Sequence, residues 1–145
     1  MAEVWAVVGH ANTRKTSTIR ALTGVGRVKR NWDVQYRARG TVEAYVHPPG
    51  LQESDVSPQA FIEMANEAGA RYVIIALRYE PAGEHPDAAG YLAAFRAAGW
   101  HIAGHAILGH GNPLPGFVGG ISIPDAANMP SNEIAAQLRQ EWGIR

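Results

Sequence analysis

Two uninterrupted apolar runs, residues 4–8 and 72–77, constrain this chain more than any other feature. A strand with one face in water alternates apolar and polar residues, whereas a run with no polar break fits a strand buried on both faces, as in a parallel sheet. Segments of helical spacing lie between and after these runs. Ile19 and Leu22 form an inward stripe that Gly24 ends. Ser57-Pro58 reads as an N-cap with proline in the first turn, ahead of Phe61, Ile62, Ala65 and Ala68, and Gly69 stops that helix. Asp87 caps a third helix with Tyr91, Leu92, Phe95 and Ala98, closed by Gly99, and Ser131 caps a fourth with Ile134, Leu138 and Trp142 inward.

Two further stretches read as strands of a tight antiparallel hairpin. Val34, Tyr36 and Ala38 alternate with polar residues, as do Val42, Ala44 and Val46, with Gly40 between. His47-Pro48-Pro49-Gly50 is expected to break regular structure. Residues 100–108 and 117–123 complete the strand set, the last weakened by Gly119 and Gly120. The order strand, helix, hairpin, helix, strand, helix, strand, strand, helix predicts a single α/β domain over residues 1–145. It would be a three-layer, mostly parallel sheet with helices on both faces.

Composition narrows the function classes. At 46% hydrophobic and 18% charged residues, the chain has a globular core and is too apolar for disorder. A formal net charge of zero argues against a nucleic-acid partner. No apolar run approaches the ~20 residues that span a bilayer, which argues against a membrane partner. The absence of cysteine excludes disulfides and thiolate metal sites and fits a reducing, cytoplasmic setting. Arg27, Lys29, Arg30, Arg37 and Arg39 make the hairpin region basic, either a solvated edge or a face for an anionic partner.

Residues 9–16, Gly-His-Ala-Asn-Thr-Arg-Lys-Thr, follow the first buried strand and open a helix. A helix N-terminus exposes unpaired N–H groups and partial positive charge, so it attracts phosphate, and a loop wrapped before it adds inward-facing N–H donors. Lys15 would reach the β- and γ-phosphates, and the Thr16 hydroxyl would ligate a bridging Mg²⁺. The plainer alternative is a strand-to-helix turn that holds Lys15 in solvent.

This segment resembles the Walker A motif of the P-loop NTPases, G-x-x-x-x-G-K-[ST], in Gly9, Lys15 and Thr16. Arg14 stands at the second glycine. The resemblance implies ATP or GTP as ligand, Mg²⁺ as cofactor, and Gly9, His10, Ala11, Asn12, Thr13, Arg14, Lys15, Thr16 and Ser17 as the binding loop. The layout of elements is also similar to that of small Ras-like GTPases. On that alignment residues 46–53 match the D-x-x-G switch at Gly50, His47 replaces its aspartate, and Gln52 lies near the water-orienting glutamine. Lys15, His47 and Gln52 are then the catalytic candidates. The guanine-reading N-K-x-D motif is not matched by Gly109-His110-Gly111-Asn112. For the acid that would complete the Mg²⁺ site, Glu80, Asp55 and Asp33 are candidates, and Arg78 at a strand end is placed to touch phosphate.

His10 and His47 could each contact phosphate or act as general base. His101 and His105, four apart on a strand, are separated by roughly 13 Å, too far to share one metal ion. Trp5, Trp100 and Trp142 belong to the core, and Trp32 is the exposed tryptophan that could stack on a base. Three functions follow: a nucleoside-triphosphatase or phosphotransferase, a non-catalytic P-loop module acting through a protein partner, or a small nucleotide or nucleoside kinase.

Overall fold

The computed structural model describes residues 2–10 and 13–144, with the Arg30 side chain also outside the description. Six strands, β1 (Glu3–Gly9), β2 (Lys29–Tyr36), β3 (Gly40–Gly50), β4 (Tyr72–Arg78), β5 (His101–Leu108) and β6 (Ile121–Ile123), form one sheet in the order β2-β3-β4-β1-β5-β6. Among these strands the β2–β3 hairpin pairs antiparallel and the other ladders are parallel. Four helices, α1 (Lys15–Thr23), α2 (Pro58–Glu67), α3 (Ala88–Ala97) and α4 (Ser131–Trp142), and a 3-10 turn (Ala126–Asn128) complete the fold.

The unbroken apolar runs become β1 and β4, side by side at the sheet's centre. Strand alternation divides their residues between two cores. Val4, Ala6 and Val8 join Phe61 of α2 and Tyr91, Leu92 and Phe95 of α3. Trp5 and Val7 join Ile19 and Leu22 of α1 and Ile134, Leu138 and Trp142 of α4. Trp100 is buried in the first core, as expected of it.

Caps fall largely where the residues predict them. Ser57 Oγ accepts from Ala60 N at 3.1 Å and Asp87 Oδ1 from Gly90 N at 2.8 Å. Ser131 is instead the first residue of α4, with Pro130 at the cap position and no side-chain cap. β3 runs through His47-Pro48-Pro49 to Gly50 where a break was predicted. A register shift between His47 and Gly50 absorbs the prolines, whose missing N–H groups a bulge tolerates. Ala38 lies in the hairpin turn rather than in β2, and β6 covers only the last three of its predicted seven residues.

The order matters for the loop after β1. Gly9 stands opposite Arg78 on β4 and Leu108 on β5, so the carboxyl ends of three parallel strands converge there. β4 separates β3 from β1, so the segment after β3 approaches the loop across the end of β4.

Candidate functional site

Gly9 is required by close packing. A Cβ there would collide with Thr13 Oγ1 and come within 3.1 Å of Leu108 O. Thr13 Oγ1 donates to His10 O at 2.7 Å, which closes the loop on itself. Ala11 and Asn12, predicted members of the loop, lie outside the described residues.

Arg14 departs from the glycine of the Walker pattern but adopts a glycine's backbone. Its φ of 68° and ψ of 25° are left-handed, a conformation in which an L side chain is strained. Its Nε donates to Ala127 O at 3.4 Å. Among the described residues no side chain caps the α1 N-terminus, and no acidic residue stands in the first turn.

Lys15 is not the solvated lysine of the plainer alternative: its side chain is 5% exposed. Nζ donates to Gly9 O at 3.1 Å and to His10 O at 2.8 Å, and lies 3.6 Å from Glu53 Oε1. Burial pushes the ammonium below the usual lysine pKa. Glu53 opposes that shift, and Arg78 adds to it. Lys15 therefore folds back along the loop and holds its first two carbonyls, with its charge at the mouth of a cleft.

That cleft, about 460 Å³, is lined by Thr13, Arg14, Lys15, Thr16, Ser17, Glu53 and Ala127, a volume within the ~300–1,000 Å³ range of ligand pockets. The Thr16 hydroxyl donates to Pro48 O at 3.1 Å, tying α1 to the end of β3. Gly50 makes room for the acid: a Cβ there would lie 2.6 Å from Glu53 Oε2.

The other catalytic candidates do not reach the cleft. Gln52, 5% exposed, is wholly engaged with main chain. Its Nε2 donates to Arg78 O at 2.9 Å and Pro86 O at 3.3 Å, and its Oε1 accepts from Arg78 N at 2.9 Å. It substitutes for backbone pairing where the β3–β4 ladder ends. His47, 3% exposed, lies edge-on to Phe61 in the layer of α2, with Nδ1 3.0 Å from Pro49 O. Burial lowers its pKa.

Of the acid candidates, Asp55 pairs with His85 at 2.7 Å and is 96% exposed, and Asp33 is exposed on edge strand β2. Glu80 is shared between His10 Nδ1 and Arg78 Nε. Glu53 is the cleft-lining carboxylate. No local sequence signal marks it over Gln52, because the main-chain groups of Arg78 decide which of the two side chains turns inward. Trp32, the predicted base-stacking residue, donates its indole N–H to Thr23 O at 2.9 Å and pins the hairpin to the end of α1. Among the described residues no group of three metal-ligating side chains converges, and no helix is long and apolar enough to cross a membrane.

Comparison with protein-family models, with curated proteins and with solved structures finds no match to this chain.

Proposed function

We propose that the chain is a P-loop NTPase-like module, three-layered about its mostly parallel sheet. It would bind the triphosphate of ATP or GTP with Mg²⁺ on residues 9–17 and hydrolyse it or transfer its γ-phosphoryl group. The observation that carries this reading is Lys15: a buried ammonium held by the carbonyls of Gly9 and His10, at the N-terminus of α1. Burying a charge is costly without compensation, and its partial neutralisation by Glu53 leaves a site that gains by meeting an anion.

The left-handed Arg14 supports the same reading, because it turns the chain into α1 as glycine does in the motif that residues 9–16 resemble. The α1 N–H groups and Lys15 would neutralise phosphate oxygens, and positioning with charge stabilisation supplies most of the catalysis of phosphoryl transfer. Thr16 and Glu53 line one cleft and offer a hydroxyl and a carboxylate, the hard oxygen donors that Mg²⁺ takes alongside phosphates and water. They are the residues that would hold it. Bound there, the ion would supply positive charge that offsets charge developing in phosphoryl transfer.

The test is thermal unfolding with Mg²⁺ plus ATP, GTP or their diphosphates, for wild type and Lys15→Ala. A native-state ligand at a hundred times its dissociation constant adds about 2.7 kcal/mol of stability. A shift in wild type that vanishes in Lys15→Ala is the expected result; no shift with any nucleotide refutes the reading. A second reading, a non-catalytic module that binds nucleotide or a protein partner, draws on Gln52 and His47 facing away from the cleft. A nucleotide shift without turnover would favour it.

A further inference from the structure

The cleft leaves one group at the loop unused. The His10 side chain reaches a second cluster, built where β1 and β4 end. Its Nδ1 meets the Glu80 carboxylate, which also takes the Arg78 guanidinium. Tyr79 and His110 pack against the ring, their centroids 5.5 and 5.0 Å from it. The cluster belongs to the phosphate loop: Lys15 Nζ donates to His10 O, and Arg78 is close enough for its charge to lower the Lys15 pKa.

We infer that His10, oriented by Glu80, is the general base that takes a proton from the water attacking the terminal phosphoryl group held on the loop. The inference rests on the nucleotide-binding reading above.

Glu80, paired with a guanidinium, accepts a hydrogen bond, so Nδ1 donates and Nε2 keeps its lone pair. The ring is 49% exposed, so water reaches it, whereas Glu80 is 29% exposed and held on two sides. A carboxylate in that place fixes the tautomer and stabilises the imidazolium that forms. The groups facing His10 are Glu80, Arg78, Tyr79 and His110, with Lys15 on its carbonyl. Burial and the neighbouring His10 lower the His110 pKa, and its Nδ1 accepts from Asn112 N. His110 thus stays neutral and does not oppose the charge His10 gains.

In the step, the water oxygen bonds to phosphorus as its proton passes to His10 Nε2. The bond from phosphorus to the bridging oxygen breaks, and its electron pair leaves with the nucleoside diphosphate. His10 then returns its proton to solvent. Glu80 is a positioning residue.

The experiment measures hydrolysis of the triphosphate that gives the largest thermal shift, by wild type, His10→Ala, His10→Gln and Glu80→Ala, across pH and with added imidazole. His10→Ala removes a half-exposed ring and leaves the carbonyl that holds Lys15, so fold and nucleotide shift should persist. The expected loss in kcat is about 10²- to 10⁴-fold. Free imidazole should restore His10→Ala in part and Glu80→Ala not at all, and His10→Gln should be as slow as His10→Ala.

Unchanged turnover in His10→Ala, or a nucleotide shift lost with the ring, overturns the base assignment while the phosphate site stands. Wild type that binds but does not hydrolyse overturns it too. No nucleotide shift in wild type brings down both the site and the inference.

Discussion

Arg14→Gly should stabilise this protein, although it deletes a long side chain and introduces the most flexible residue. Arg14 holds φ at 68° and ψ at 25°, and left-handed backbone costs an L residue roughly 1–2 kcal/mol that glycine does not incur. Against this, glycine gains about 0.5–1 kcal/mol of conformational freedom in the unfolded chain. The substitution also removes the exposed Arg14 Nε from Ala127 O, an approach of 3.4 Å at the weak end of hydrogen bonding. The balance favours Arg14→Gly by about 0.5–1 kcal/mol, an increase of roughly 1–4 °C in unfolding midpoint for a chain of this length.

Arg14→Ala is the control: it loses the same guanidinium but keeps the Cβ and hence the strain, so its midpoint should be unchanged or lower. Calorimetry or fluorescence-monitored melting at one pH decides the order of the three proteins. If Arg14→Gly melts no higher than Arg14→Ala, the strain argument fails. The same variants separate backbone from side chain in ligand binding. A cradle of N–H groups keeps its nucleotide shift in Arg14→Gly, whereas a guanidinium that grips phosphate loses it in both.

Two further predictions address the remaining site candidates. Gln52→Ala leaves the Arg78 N–H and C=O without their side-chain partner beside a buried strand end. It should therefore cost about 2–3 kcal/mol in denaturant unfolding, whereas a residue that orients water would lower turnover and leave stability alone. Stability should also fall in acid. Burial lowers the folded pKa of His47, His105 and His110 below 6.5, so the native protein binds fewer protons than the unfolded chain. Their contribution is present in full above pH 6.5 and is lost as pH falls through the folded values. Melting from pH 8 to 5 should show the decline, and His105→Gln should flatten it.

The sequence made the central strands, the start of α1 and two helix caps legible, because each rests on local chemistry. An apolar run without polar breaks became β1 or β4, and Ser57 and Asp87 accept the N–H groups their spacing predicts. What it hid depends on partners far along the chain. Pro48 and Pro49 read as a break because proline lacks a ladder donor, yet β4 holds β3 through them by way of a bulge. Phe117 reads as strand, but it is buried in a turn beneath the Arg96 guanidinium.

The same division holds at the site. That Lys15 opens a helix after a buried strand was legible; that its ammonium turns back onto the carbonyls of Gly9 and His10 was not. The choice between Gln52 and Glu53 was not, because the free main-chain groups of Arg78, 26 residues away, decide which side chain turns inward. Likewise nothing near His10 in sequence announces Glu80, 70 positions on.

The position of β1 between β4 and β5 carries a consequence for the life of the chain before it is folded. Glu3 pairs with Tyr72 and His101, and β1 has no sheet neighbour closer in sequence. Contacts that close such long loops form late, since the entropy of closure comes before the reward of pairing. The earliest-made of these six strands is therefore not flanked on both sides until β5 has been made. Val4 to Val8 remain an exposed apolar segment until β4 has been made, the kind of surface that aggregates or engages chaperones. Gly9 is flanked only when Arg78 and Leu108 stand beside it, so a nascent chain ending before residue 72 has Lys15 and Thr16 but not the strand ends around them.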